Sequence, residues 1–343
     1  MMGIAALRIL DPCAPRAYAR LASLHRLGGT ESTVLRIASG LSRDMDVSVE
    51  QAARRTAEIA GTVRFRPMDP AAASPATILV INAWDVALAC HRHNPRARIL
   101  VWQHLVPAAQ ERPALRRLAD AGIEIVCVSD WLAAEIRALA GAAGPSIAVI
   151  ANPIADDLHP DATPRDPDLL FFASSPKKGL DQVLAAFETL RGAIRGLRLE
   201  VADPGYLSWQ HGTMPAGVCL LGTLPHPAVI AKMRAALCVF YPQTGFAETF
   251  GLVIAEANAV GCPVLVHRGL GANDEVASDA RQCLDCTDAR MIAARIRDWR
   301  RATPAVSLDP RFRLSAVLRR WRGHLGVRCD AAGGARGAMC DVS

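Results

Sequence analysis

Short runs of aliphatic and β-branched residues alternate with longer stretches of helical period from one end of the chain to the other. Continuous apolar runs suit strands buried on both faces, and their alternation with helices predicts parallel sheets covered by helices. In the first half the runs place strands at Thr77–Ile81, Ile99–Trp102, Ile125–Val128 and Ile147–Ile150. Helices are expected at Val34–Leu41, Pro113–Ala121 and Trp131–Ala140, the last two closed by Gly122 and Gly141. The second half repeats the rhythm, with strands at Leu169–Ala173, Leu197–Ala202, Val218–Leu221, Cys238–Tyr241 and Pro263–His267.

At 343 residues the chain exceeds one ordinary core and suits two domains of about 150 residues each. The polar, proline-rich stretch from Asn152 to Pro167 reads as the linker between two Rossmann-like lobes facing each other across a cleft. The expected organisation is a first lobe over 1–155 on the acceptor side and a second over 156–310 on the donor side. A basic amphipathic helix within 311–326 follows, and an unstructured tail over 327–343. That helix, Arg313–Leu325, aligns Leu314, Val317, Leu318, Trp321 and Leu325 in one apolar stripe. It is expected to pack back across the lobes, although its arginines also suit contact with an anionic membrane.

The chemistry concentrates in Gly245-Phe-Ala-Glu248-Thr-Phe-Gly251-Leu-Val-Ile-Ala-Glu256. From Leu252 to Val260 only Glu256 and Asn258 interrupt an apolar sequence, so the helix should be buried. A buried carboxylate needs a donor partner or a polar ligand, and the vicinal diol of a ribose supplies two hydroxyl donors. Thr249 is expected to cap this helix, with Gly251 leaving the first-turn amides open to a phosphate. Elsewhere, Lys177 and Lys178 open a helix after the strand at Leu169; only three of the 39 basic residues are lysines, which sets this pair apart from ordinary surface charge.

The string from Phe246 through Glu248 and Glu256 to Gly261-Cys-Pro263-Val264 resembles the donor-site signature of glycosyltransferase family 4. That resemblance implies a GT-B fold and retention of anomeric configuration. It also implies that Glu248 meets the donor sugar, Glu256 the nucleotide ribose and Lys178 the diphosphate. Thr249, Phe250 and Gly251 join the donor-binding set. Gly28-Gly29-Thr30-Glu31 is similar to the family's phosphate-facing loop, and His104, after the strand ending at Trp102, to its histidine near the reacting sugar. The family usually carries an arginine where this chain has Ser174 and Ser175, so Lys177 is the candidate replacement. His226, in Gly222-Thr-Leu-Pro-His226-Pro, is a candidate to line the base pocket.

The implied activity is transfer of a hexose-type sugar from a nucleoside diphosphate sugar to an acceptor hydroxyl, in bacterial-type glycan or glycolipid assembly. The acceptor could be a glycan, a lipid-linked molecule or a small molecule. Alternatives are a sugar phosphorylase or nucleotide-sugar epimerase of the same fold, or a non-catalytic glycosyltransferase-like subunit. No metal or other cofactor is expected: Asp44-Met45-Asp46 reads as a surface turn, and Cys283-Leu-Asp-Cys286 lacks a second pair to complete a zinc site.

Composition adds few constraints. A net charge of +6 admits phosphate or anionic-surface partners without identifying one, and no nucleic-acid-binding signature is present. The ten cysteines stand mostly singly in apolar runs and are expected as buried free thiols. No apolar stretch is long enough to span a bilayer and no leader pattern opens the chain, so a cytoplasmic location is expected, with an inner-membrane contact left open.

Overall fold

A computed structural model describes residues 5–22, 27–73, 77–203 and 214–327. From residue 328 onward, the tail expected to be unstructured lies outside the described residues.

The first sheet is built by β1 (Ala6–Asp11), β2 (Asp46–Gln51), β3 (Glu58–Ala60), β4 (Val63–Pro67), β5 (Thr77–Ile81), β6 (Ile99–Gln103), β7 (Glu124–Cys127) and β8 (Ile147–Val149). Its spatial order is β3-β4-β2-β1-β5-β6-β7-β8. Helices α1 (Gly29–Leu41), α2 (Trp84–His93), α3 (Arg112–Asp120) and α4 (Asp130–Ala140) provide crossovers between its strands. All pairings are parallel except β3 with β4, an antiparallel hairpin at the edge that the expectation of parallel sheets did not include.

The second sheet comprises β9 (Asp166–Phe172), β10 (Arg198–Asp203), β11 (Val218–Thr223), β12 (Ala236–Tyr241), β13 (Val264–His267) and β14 (Cys283–Leu284), in the order β11-β10-β9-β12-β13-β14 and parallel throughout. With it run α5 (Leu180–Ala193), α6 (His226–Ala235), α7 (Leu252–Ala259), the one-turn α8 (Asn273–Val276) and α9 (Ala289–Arg301). Strands such as β12, buried at all six positions, show why apolar runs revealed them: both faces are covered by helices.

In each sheet the strand order reverses once. The chain builds outward from β1 through β2 and β4, then returns to place β5 on the other side of β1; likewise β9, β10 and β11 extend one way before β12 returns beside β9. The carboxyl ends of strands flanking such a reversal leave a crevice, because the following loops diverge to opposite faces. The arrangement is a GT-B fold of two Rossmann-like lobes.

The last helix, α10 (Leu314–Leu325), returns to the first lobe. Val317, Leu318 and Trp321 of its apolar stripe are buried, Trp321 meets Trp102 edge-on at 4.9 Å, and Arg322 pairs with Asp44 at 2.7 Å. The stripe is therefore covered by protein. The outgoing and returning crossings also pair with each other: Ile154 N donates to Phe312 O at 2.8 Å and Leu314 N to Ile154 O at 2.8 Å. Of Asp44-Met45-Asp46, Asp44 lies in a turn and Asp46 opens β2, paired with Arg64 at 2.5 Å; among the described residues no cluster of metal-ligating side chains occurs. The eight described cysteines are free, but Cys13, in the loop after β1, and Cys219, in the edge strand β11, are exposed rather than buried.

Candidate functional site

The loops after β9 and β12, flanking the reversal of the second sheet, bring Lys178 and Glu248 together. Contrary to the expectation from sequence, Lys178 does not open a helix. It ends a 3-10 turn, Pro176–Lys178, and Gly179 turns the chain into α5 with φ +90. A side chain at Gly179 would strike Gln243, with its Cβ 2.6 Å from that of the glutamine, so the two loops touch. The lysine Nζ lies 2.9 Å from each Glu248 carboxylate oxygen, and Tyr241 OH donates to Oε1 at 3.1 Å. Burial, followed by the charge of Glu248, raises the Tyr241 pKa far above its ordinary value, so this phenol stays a donor. Lys178 also sits 4.7 Å over the Phe246 ring. Lys177 is exposed and, among the described residues, forms no ion pair.

Glu248 is buried, and its loop is held from three directions. Gln243, fully buried, accepts from the backbone of Gly245 and Phe246 and donates to Phe246 O. Ala272 N donates to Glu248 O at 2.8 Å, and Gly271, at φ +61, passes so near that a Cβ there would lie 2.6 Å from Glu248 N. Gln243, Tyr241 and Gly271 were not singled out from sequence; only the position of Tyr241 at a strand end gave any signal.

Two expectations for the following segment are corrected. Thr249 does not cap α7: the helix begins at Leu252, Gly251 occupies the cap position at φ +84, and no side chain caps it. The threonine hydroxyl instead donates to the carbonyl of His104 in the other lobe at 2.8 Å. Tertiary contact outcompeted the local cap because Gly251 carries the chain into the helix in the left-handed region, leaving Thr249 two residues too early. Phe250, of the expected donor-binding set, is not exposed: its ring is buried edge-on to Phe312 at 5.1 Å. Nor is α7 buried all round, since Leu252, Val253 and Glu256 remain half-buried along one face.

Glu256 has the partner its position demands. His226 Nε2 lies 2.8 Å from Glu256 Oε1. That bond, ahead of the opposing effect of burial, raises the His226 pKa.

Across from these groups stand the carboxyl ends of the first sheet. Asn82, after β5, takes the left-handed conformation at φ 56 and accepts from His104 N at 2.7 Å. His104 is 5% exposed, meets the Trp102 ring at a tilt with centroids 4.9 Å apart, and among the described residues its Nε2 has no hydrogen-bond partner. Burial lowers its pKa to about 3, so the ring is neutral at ordinary pH. Gly28 precedes α1 and Gly29 begins it; a Cβ on Gly29 would meet Leu252 of the other lobe at 3.0 Å. Glu31, in the first turn of α1, has its pKa raised by burial, with the charge of Asp11 a smaller cause. Asp11, absent from the sequence reading, ends β1 and accepts from Cys13 N, Ala14 N and Tyr18 OH.

The lobes also meet beyond the carboxylates. Glu275 of α8 accepts from Asp130 N and Trp131 N at 3.1 and 3.0 Å, so one lobe closes the N-terminus of a helix in the other.

Residues 162–305 match the family model described as glycosyl transferases group 1, which spans most of the second lobe and includes Lys178, Glu248 and Glu256. No curated protein matches the sequence. Among solved structures, the fold is similar to that of Anabaena HepE in complex with UDP and glucose, at 14% identity and TM-score 0.65, covering 94% of this chain and 99% of that one. It is similar also to AviGT4, a glycosyltransferase involved in avilamycin A biosynthesis, at 17% identity and TM-score 0.61 over 94% and 97% of the two chains. A third is the apo form of the lipopolysaccharide outer core galactosyltransferase WaaB, at 10% identity and TM-score 0.65 over 94% and 99%.

Proposed function

We propose that this protein is a retaining glycosyltransferase that moves a hexose from a nucleoside diphosphate sugar to an acceptor hydroxyl. The observation that carries the reading is the meeting of Lys178 with Glu248 beside the uncapped N-terminus of α7, at the reversal of the second sheet. Free backbone amides and a lysine form a site for a diphosphate, and a carboxylate within reach of it is suited to sugar hydroxyls. On donor binding Lys178 exchanges its bond to Glu248 for the diphosphate, and Glu248 turns to the sugar. Glu256 receives the ribose, and His104, neutral and with Nε2 unpartnered among the described residues, faces the reacting end.

In the chemical step the acceptor oxygen bonds to the anomeric carbon as its bond to the diphosphate oxygen breaks. The acceptor proton passes to the departing diphosphate oxygen, so no protein nucleophile is required. Lys178 and the α7 amides stabilise the charge that develops on the leaving group, which makes a metal unnecessary in this scheme. The first lobe holds the acceptor, and the protein works in the cytoplasm, with glycan or glycolipid assembly as its setting. In support of a nucleoside diphosphate donor, the HepE structure contains UDP and glucose. UDP-glucose is accordingly the first donor to assay, within a panel of UDP, GDP, ADP and TDP sugars screened by thermal stabilisation.

The departure at Ser174 and Ser175 favours a second reading, a subunit that binds donor without turnover. Acceptor-dependent release of nucleoside diphosphate, unaffected by a chelator, supports the transferase. Donor binding with no release under any acceptor supports the second reading and overturns the first.

A further inference from the structure

Resting on the donor-site reading above, we propose that His226 is a positioning residue for the nucleotide: it fixes Glu256 so that one carboxylate oxygen is presented to the ribose diol. His226 opens α6 directly after Pro225, while Glu256 lies on the half-buried face of α7 with Leu252 and Val253. The 2.8 Å contact engages Oε1; Oε2 makes no hydrogen bond among the described residues. A glutamate has three side-chain torsions, and anchoring one oxygen removes most of that freedom before the ligand arrives, so less ordering remains to be done on binding.

The surroundings favour a persistent anchor. A helix N-terminus ordinarily disfavours a charged histidine. The pKa of His226 is nevertheless raised, first by Glu256 and further by Asp157, against burial and the charge of Arg36 in α1. Both protonation states preserve the bond, because neutral imidazole protonated at Nε2 is still a donor. His226 thus acts through Glu256, whereas Glu256 touches the ligand.

The test compares binding of UDP, GDP and ADP with that of their 2′,3′-dideoxy counterparts, measured calorimetrically on the full chain. Wild-type protein should prefer the ribonucleotide. In His226→Ala that preference should fall by about tenfold, the scale of one immobilised side chain. His226→Gln, which restores an N–H donor, should regain most of it. A structural role alone would weaken both ligands equally. An unchanged preference in His226→Ala overturns the proposal while leaving the donor site standing. Equal loss in the alanine and glutamine variants also overturns it, and absence of any nucleotide binding to the wild type overturns the donor site itself.

Discussion

Lys178 Nζ stands 2.9 Å from both carboxylate oxygens of Glu248, although 70 residues separate them in the chain. The carboxylate is nearly inaccessible, at 6% side-chain exposure, while the lysine is 30% exposed. Removing the lysine therefore leaves a buried charge with, among the described residues, Tyr241 as its one remaining donor. Lys178→Ala is expected to abolish most turnover and to cost about 3 kcal/mol of stability. Glu248→Ala should abolish turnover at a smaller cost in stability, because the lysine can turn to solvent. Steady-state nucleoside diphosphate release and denaturant melts measure the two effects; wild-type turnover in both variants would remove these residues from the site.

Glu275 reaches across the cleft to close the N-terminus of α4. A helix cap is worth about 1 kcal/mol, enough to shift an open–closed equilibrium several-fold. Glu275→Ala should raise the radius of gyration seen by small-angle scattering and weaken donor binding, with little loss in the stability of either lobe. Identical scattering profiles for variant and wild type would mean that the cap does not hold the lobes together.

The two histidines at the cleft give opposite pH signatures. His104 has its folded pKa lowered to about 3 by burial, so the unfolded chain takes up a proton there before the folded protein does. Its contribution to stability is complete above the unfolded value of about 6.5 and is lost as pH falls toward 3, with a slope of up to about 1.4 kcal/mol per pH unit. His226 is raised by Glu256; its contribution is complete below about 6.5 and is lost as pH rises through the folded value. Urea titrations across pH 4 to about 8 on His104→Gln and His226→Gln should each remove one of these dependences. In proton NMR, the His104 ring should show no titration near neutrality.

Gly271 occupies φ +61, and a Cβ there would meet the backbone of Glu248. Backbone cannot turn aside as the end of a side chain can, and a left-handed conformation adds strain of about 1–3 kcal/mol for most residues. Gly271→Ala should therefore displace the Glu248 loop, lowering both turnover and melting temperature, even though residue 271 need not touch a substrate. Gly269, also at positive φ but with open space around its Cβ position, is the control: its alanine variant should lose stability without a comparable loss of turnover.

Much of the architecture was legible in the sequence because a strand covered by helices on both faces must be apolar along its length. Thr77–Ile81 was placed to the residue for that reason, and the runs at Ile99, Ile125 and Cys238 to within a few residues. β1, β2, β3, β4 and β14 were given no bounds: β3 is half-exposed, β14 has two residues, β4 alternates, and the buried β1 and β2 are interrupted by Arg8, Ser48 and Glu50. The anomaly of a carboxylate in an apolar helix was equally visible at Glu256, since burial of an unpartnered charge is costly wherever it occurs.

The sequence by itself determined that two helix-covered, mainly parallel sheets would form, that Glu256 required a donor, and that Lys178 and Glu248 would follow strand ends. The tertiary structure decided which groups answer one another. His226 takes Glu256, Lys178 takes Glu248, Thr249 leaves the helix it was expected to cap for a carbonyl in the other lobe, and Glu275 closes a helix 145 residues away. The reason is that local pattern fixes which face of an element is buried. The order of strands in a sheet, and the approach of one lobe to the other, set which residues at the loop ends come within hydrogen-bonding distance.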